Sequence, residues 1–469
     1  MGGLPEGVSR RLRFGGFRVV FLLAGLVLSG PGVPGSGSPL LGAQLLEAQE
    51  VDSAPALSLE EAVAIAREGS PVINLARTDL ERAANEVGLG AAGYLPQLSL
   101  DAGGNRTVTN SEQTFIDQDP RRLRDATTRQ FGAGATLSWR AFDGGGRRAG
   151  LSRARSLETG ERFALEDVEG EILTGVVVAY HDLVRLQSQL ELLGEAVELS
   201  EERLRIAEVR REVGAASDLE VRQAQVDRNA DRAEVIRARS DLAAARAEFN
   251  HLLGRSPTTA FSVRDEIPVD PGLDREEIRE RARARNPAAQ EAGARLLAAR
   301  EGQREARADW FPSLDLQAGL DFTDLSSESG FQQAVEGYDY TFGFTLSYDL
   351  FDGFARNRQG EEARLQARSA ELTLFETESR VEAEVEIQFA RYQDQLELVE
   401  LERENEEIAR RNVGTALEQF RLGTIASIEL REVQEALTRA GTRLLESEFG
   451  ARVAEARLLR LAGEPAPGG

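Results

Sequence analysis

The stretch YLPQLSLDAGGN runs from Tyr94 to Asn105, and WFPSLDLQAGLD runs from Trp310 to Asp321. Each reads aromatic, apolar, Pro, x, Leu, x, Leu, and the two lie 216 positions apart. At the same offset LSLEEAVAIAREGSP from Leu57 falls on LDREEIRERARARNP from Leu273, with Pro71 over Pro287. Further on, TLSWRAFDGG from Thr136 matches TLSYDLFDGF from Thr345 at an offset of 209, which holds to Gly254 over Gly463. The halves thus differ by a net shortening of seven residues between positions 105 and 131. An internal duplication of this length constrains the fold more than any single motif.

Around each quoted stretch the hydrophobic period changes. Residues 57–93 are rich in Ala, Glu, Arg and Leu, a helical composition broken at Pro71, and the helix is expected to end at Pro96. After it the period is 2. Leu98, Leu100 and Ala102 alternate with polar residues, then Phe131, Ala133, Ala135, Leu137 and Trp139 do the same. In the second half the pattern is Leu314, Leu316, Ala318, Leu320 and Phe322, then Tyr338, Tyr340, Phe342, Phe344, Leu346, Tyr348 and Leu350. Strict alternation predicts four strands, each with one apolar and one polar face.

Each strand pair is followed by Phe-Asp-Gly, at Phe142–Gly144 and Phe351–Gly353. Asp143 and Asp352 are expected to act as N-caps of the helices that follow. From Gly144 to Glu212 there is no proline, which predicts a helix of roughly 100 Å. Gly214, and Gly423 in the second half, turn the chain back into a return helix. Val235, Leu242 and Phe249, and likewise Leu444, Ala451 and Leu458, recur every seven residues. Leu186, Leu190, Leu193 and Val197 supply the matching seam on the outgoing helix, as in coiled coils.

The first 43 residues differ in kind. Arg10, Arg11, Arg13 and Arg18 precede the apolar run Val19–Gly30 and a small-residue site ending at Ala43, the layout of a secretory signal peptide. Its removal would take four arginines and Glu6 from a chain of net charge −23 and leave it more acidic still. That charge argues against nucleic acid as a partner. Cysteine is absent, which excludes a disulfide framework, a thiolate metal site and a lipidated N-terminal cysteine. His181 and His251 have no companion ligands, so no metal and no cofactor is expected. DGGGRR at Asp143–Arg148 lacks the spacing and the lysine of a phosphate loop, and no nucleophile–base arrangement suggests an enzyme.

The apolar strand faces need cover, either from a soluble core or from lipid. Tyr94, Trp139, Trp310 and Tyr348 at the helix-proximal ends, with Tyr338 and Tyr340 at the far ends, make two aromatic girdles of the kind that bracket a membrane barrel. An open sheet cannot stand in lipid, so four strands must be shared among two, three or four copies. Phe344 and Leu346 then face outward, and Thr345 and Ser347 face the lumen. The competing reading is a periplasmic coiled-coil adaptor or structural protein with a soluble β-domain.

Over nearly all of the mature sequence the chain resembles the outer-membrane efflux family, the TolC-like exit ducts. The resemblance lies in the duplicated halves, Ser70-Pro71 and Asn286-Pro287, the Leu-Pro-x-Leu and Phe-Pro-x-Leu strand starts and the Phe-Asp-Gly exits. The hairpin tips RREVGAASDLEVRQAQ from Arg210 and EQFRLGTIASIELREVQ from Glu418 carry it too. It implies an α+β fold with a shared transmembrane β-barrel, four strands per chain, continued by a long α-helical periplasmic barrel. It also implies a homotrimer, and service to an efflux pump or type I secretion system through a periplasmic adaptor and an inner-membrane transporter. The repeats are placed at 57–254 and 273–463, with a linker at 255–272 and a short tail at 464–469.

By the same resemblance Glu429 and Glu432 match acidic positions ringing the periplasmic mouth, and Glu220 holds the equivalent place in the first half. Gly214, Ala215, Gly423 and Thr424 are the tip residues expected to meet the adaptor. Pro96, Asp143, Pro312 and Asp352 mark the strand–helix junctions. Phe420 and Ile425 stand where the best-known member has a Tyr and an Arg, so its gate-locking contacts are not expected here.

Overall fold

Pro71 and Pro287 each open a helix, because a proline at the first helical position gives up an amide hydrogen that has no partner there. In a computed structural model, which describes residues 56–464 apart from 117, 264–266, 268–270 and 329–332, the helices before them are α1 (Leu59–Gly69) and α5 (Arg275–Arg285). Ser58 and Glu61 form a reciprocal capping box on α1. The signal-peptide reading of 1–43 lies outside the described residues, as does the tail beyond Glu464.

The helices opened by proline are α2 (Pro71–Glu86) and α6 (Pro287–Ala308). They differ in length. α6 runs almost to Pro312, whereas α2 stops ten residues before Pro96, which corrects the expected helix end. Gly88, Gly90 and Gly93 crowd the intervening segment, Gly93 has φ +70°, and glycine at this density favours turns over helix.

Strands β1 (Gln97–Phe115), β2 (Gln118–Phe142), β3 (Ser313–Ser327) and β4 (Ala334–Ser347) form one antiparallel sheet in chain order. Register aligns the apolar positions into rows across all four: Leu98–Leu137–Ala318–Phe342, Leu100–Ala135–Leu320–Tyr340 and Ala102–Ala133–Phe322–Tyr338. The opposite face carries rows such as Ser99–Thr136–Gly319–Thr341. None of the described residues covers the apolar face, and Phe342 and Phe344 are 80% and 75% exposed. β1 and β4 are open edges.

One strand expectation needs correction. β4 ends at Ser347, so Tyr348 and Leu350 lie past it. All four strands exceed the length of about 9–11 residues that crosses a bilayer. β1 and β2 continue as a polar ribbon between Asn105 and Arg129, with a register shift at Thr109/Ser111 beside Asp125 at φ +53°.

Beyond the sheet, α3 (Gly146–Glu212) and α7 (Ala355–Arg421) are both 67 residues, and their return helices α4 (Asp218–Leu252) and α8 (Ser427–Leu461) both 35. α4 and α8 therefore cover only the far half of each long helix, and α2 and α6 pack along the near half. Two apolar cores sit where these segments meet. One joins α1, α3 and α4 around Val176, Tyr180, Phe249 and Leu253; the other joins α5, α7 and α8 around Val385, Phe389, Tyr392 and Leu458. Among the described residues no helix is long and apolar enough to cross a membrane. The sheet, with its one apolar face, has the pattern to do so.

Candidate functional site at the helix tips and strand–helix junctions

The strand–helix junctions are built alike in the two halves. Pro96 and Pro312 each sit one residue before a strand, where no ladder bond is lost. Asp143 accepts hydrogen bonds from the backbone of Gly145 and Arg147, and Asp352 from Ala355 and Arg356. They cap the long helices from two positions upstream, not as N-caps. Gly145 and Phe354 occupy the N-cap in left-handed conformation, and the turn through Gly144 or Gly353 carries the carboxylate over the first helical turn. The backbone hydrogen bond from Arg356 leads the interactions that hold the Asp352 carboxyl below its usual range.

Sequence reading missed the partners of these aspartates. Arg147 Nε lies 3.0 Å from Asp143, and its guanidinium covers Tyr94 at 5.1 Å. Arg356 lies 2.9 Å from Asp352, over Trp310 at 4.9 Å and Tyr348 at 5.8 Å. Each arginine ties the girdle aromatics to a helix start. The signal was present in the sequence, since Arg147 and Arg356 are themselves 209 positions apart.

At the other end of the long helices, roughly 100 Å away, the chain reverses. Gly214 and Gly423 have φ +76° and +75°, the left-handed conformation that closes a helix C-terminus. Ala215 N–H reaches Arg210 carbonyl at 2.7 Å, and Thr424 N–H reaches Gln419 carbonyl at 3.0 Å. Ser217 caps α4 by accepting from Glu220 N–H, whereas its counterpart Ala426 gives α8 no side-chain cap. A groove of about 860 Å³ separates the two tips, lined among others by Arg210, Leu219, Glu220, Thr424, Ile425 and Ile428.

The three acidic residues divide here. Glu220 faces this groove at 3.8 Å from Arg210, whose guanidinium stacks on buried Phe420 at 5.2 Å. Glu429 and Glu432 share one exposed face of α8 at i and i+3, and neither forms an ion pair with a described residue. Behind the tips lies a charged layer that the sequence reading did not anticipate. Arg203 is fully buried and bonds Asp227 at 2.5 Å, and Arg431 of α8 holds Asp231 of α4 at 2.7 Å. Burial pushes the Arg203 guanidinium down from its ordinary value. Among the described residues no group of side chains could hold a metal ion.

Comparison with known proteins places this architecture. The family model of the outer membrane efflux protein matches residues 62–255 and 278–464. The chain is 30% identical over 334 residues to Protein CyaE of Bordetella pertussis, covering 69% of this chain and 66% of that protein. It is 27% identical over 315 residues to the alkaline protease secretion protein AprF of Pseudomonas aeruginosa, covering 64% and 63%. Among solved structures, the outer membrane protein VceC of Vibrio cholerae superposes with a TM-score of 0.72 at 18% identity, covering 87% of this chain and 96% of that one. The duplicated family match agrees with the repeat read from the sequence. The chain belongs to the outer membrane efflux protein family, a family of outer-membrane channels and not of enzymes, with its sheet in the membrane and its long helices in the periplasm.

Proposed function

We propose that this chain is one protomer of a homotrimeric exit duct that conducts cargo passively from the periplasm or an inner-membrane transporter to the exterior. The observation that carries the reading is the four-stranded sheet with an uncovered apolar face and two open edges. In lipid those edges must be paired, and three chains give a closed barrel of twelve strands. The long helical hairpins would then line a periplasmic tunnel whose far mouth carries Glu429 and Glu432 of each chain. A periplasmic adaptor would dock on the tips at Gly214, Ala215, Gly423 and Thr424, with residues 1–43 removed on export and the two repeats, 57–254 and 273–463, acting as one body. The name of the relative AprF supports secretion, and the family's name supports efflux.

Fractionation tests the reading. The mature protein is expected in the outer membrane and should run as a trimer in mild detergent. Recovery of a soluble periplasmic monomer would overturn it and favour the coiled-coil adaptor.

A further inference from the structure

Register places Arg106 of β1 directly opposite Arg129 of β2. Both belong to the apolar face: Arg106 follows Leu98, Leu100, Ala102 and Gly104 in steps of two, and Arg129 precedes Phe131, Ala133, Ala135 and Leu137. Both are exposed, and neither guanidinium makes an ion pair or hydrogen bond with a described residue. Three other arginines near the sheet are paired, whereas Arg124, in the ribbon beyond, has no ion pair with a described residue either. Arg122 pairs with Glu112 at 2.9 Å, Arg140 with Asp315 at 2.9 Å, and Arg147 with Asp143 at 3.0 Å. Like charges directly opposite on a sheet repel, so an unneutralised pair here is a local cost.

The duplication says where this pair stands. Unbroken register extends the correspondence past position 105: Arg106 and Arg129 lie four residues beyond the pair Ala102–Ala133, as Phe322 and Tyr338 lie four beyond the equivalent pair Ala318–Phe342. Phe322 and Tyr338 are also register partners, their rings 5.1 Å apart, in the aromatic girdle at the end of the sheet far from the helices. The repeat position that holds an aromatic pair in one half therefore holds two arginines in the other, and across the sheet the arginine row continues to Ser326, two same-face rows beyond that of Phe322 and Tyr338. Asp324 and Glu336, which lie on the same face, belong to the neighbouring row with Phe131 and have no ion pair to either arginine.

We propose that Arg106 and Arg129 form a binding site on the outside of the barrel for the phosphate groups of an outer-leaflet lipid headgroup. Two guanidiniums on adjacent strands can each offer paired N–H donors to one phosphate or to two phosphates on one headgroup. The lipid's chains would lie along the apolar rows below. The repulsion between the arginines turns into shared attraction once the anion is bound. The site depends on the sheet crossing the membrane, and barrel assembly is measured separately from lipid retention.

The test uses the full chain, reconstituted into phosphatidylcholine nanodiscs doped with diphosphoryl lipid A or with its phosphate-free form, and native mass spectrometry of the released oligomer. The wild type should retain the diphosphoryl lipid about tenfold better than the phosphate-free lipid. Arg106→Gln/Arg129→Gln should lose that preference with the oligomer intact, and Arg106→Lys/Arg129→Lys should keep part of it. Millimolar inorganic phosphate should not displace the lipid; displacement would mean an anion site without lipid specificity and would overturn the proposal. Equal retention of both lipids by the wild type would overturn it as well, even if the double variant failed to assemble. A wild type that forms no oligomer would instead contradict the exit-duct reading itself.

Discussion

Near the tip of the first helical hairpin, the positions of Ser200, Arg203, Asp227 and Asp231 correspond in the second hairpin to Ala409, Asn412, Ala436 and Ala440. In the second hairpin Ala409, Val413, Leu437 and Ala440 close an apolar layer. In the first, the same level holds buried charge, and Arg431 of the second hairpin reaches across to Asp231. An apolar layer tolerates sliding, because any apolar neighbour serves. A buried ion pair does not, since displacement strands a charge away from water. The duplication thus supplies one backbone twice, and divergence has given one copy the packing and the other the cross-link.

Removing the charge should give the largest effect. Asp227→Ala leaves the Arg203 guanidinium buried without its partner and should cost about 3–5 kcal/mol. Arg203→Met should cost much less, because Asp227 keeps its bond from Gln223 and part of its exposure. Heat or denaturant dissociation of the detergent-solubilised oligomer would compare them. Equal losses would mean that the layer contributes by shape and not by charge.

The sheet gives the next contrast. Phe342→Arg, in a middle row of the apolar face, should impair assembly by about 2–4 kcal/mol, whereas Thr341→Arg on the polar face should assemble normally and alter conductance. Equal damage from both would mean that the sheet is buried on two sides.

Smaller effects separate the junctions. Phe354 takes a left-handed conformation that Gly145 provides freely in the first half. Phe354→Gly should stabilise by about 0.5–1 kcal/mol, the strain relieved less the entropy glycine adds. A loss of stability would assign Phe354 a packing role against Phe351, whose ring lies 5.6 Å away.

The smallest effect is electrostatic. A hydrogen bond from Arg205, with a second from Arg421 of α7, holds Glu202 down from 4.5 to about 2. A depressed carboxyl contributes above its unfolded value and loses that contribution as pH falls from 4.5 through about 2. Hydrogen exchange at the end of α7 should therefore accelerate in that window by an amount worth only a few tenths of a kcal/mol, as for an exposed pair. Arg421→Gln should weaken the acceleration.

The repeat, the four strands, the helix break at Pro71 and the glycine reversals were legible because each rests on local chemistry at fixed spacing. The early end of α2 was not, since a proline is a stronger signal than three separated glycines. Asp143 and Asp352 were recognised as caps but placed too close, because the left-handed turn between carboxylate and helix is invisible in the sequence. Arg203 was missed for a different reason. A seven-residue seam is read through its apolar members, and a buried arginine counts against the seam until its partner on another helix is known. Glu220, Glu429 and Glu432 looked equivalent in sequence, yet Arg210 faces only the first.

That last difference sets the most direct measurement: reversal potentials of the oligomer in planar bilayers under asymmetric salt. Rings of carboxylates select cations and bind multivalent ones. The wild type should form cation-selective pores blocked by divalent cations. Glu429→Gln/Glu432→Gln should lose selectivity and block with the oligomer intact, and Glu220→Gln should change both less. Absence of pores from a folded oligomer would contradict the exit duct, and unchanged selectivity and block in the double variant would remove Glu429 and Glu432 from its mouth.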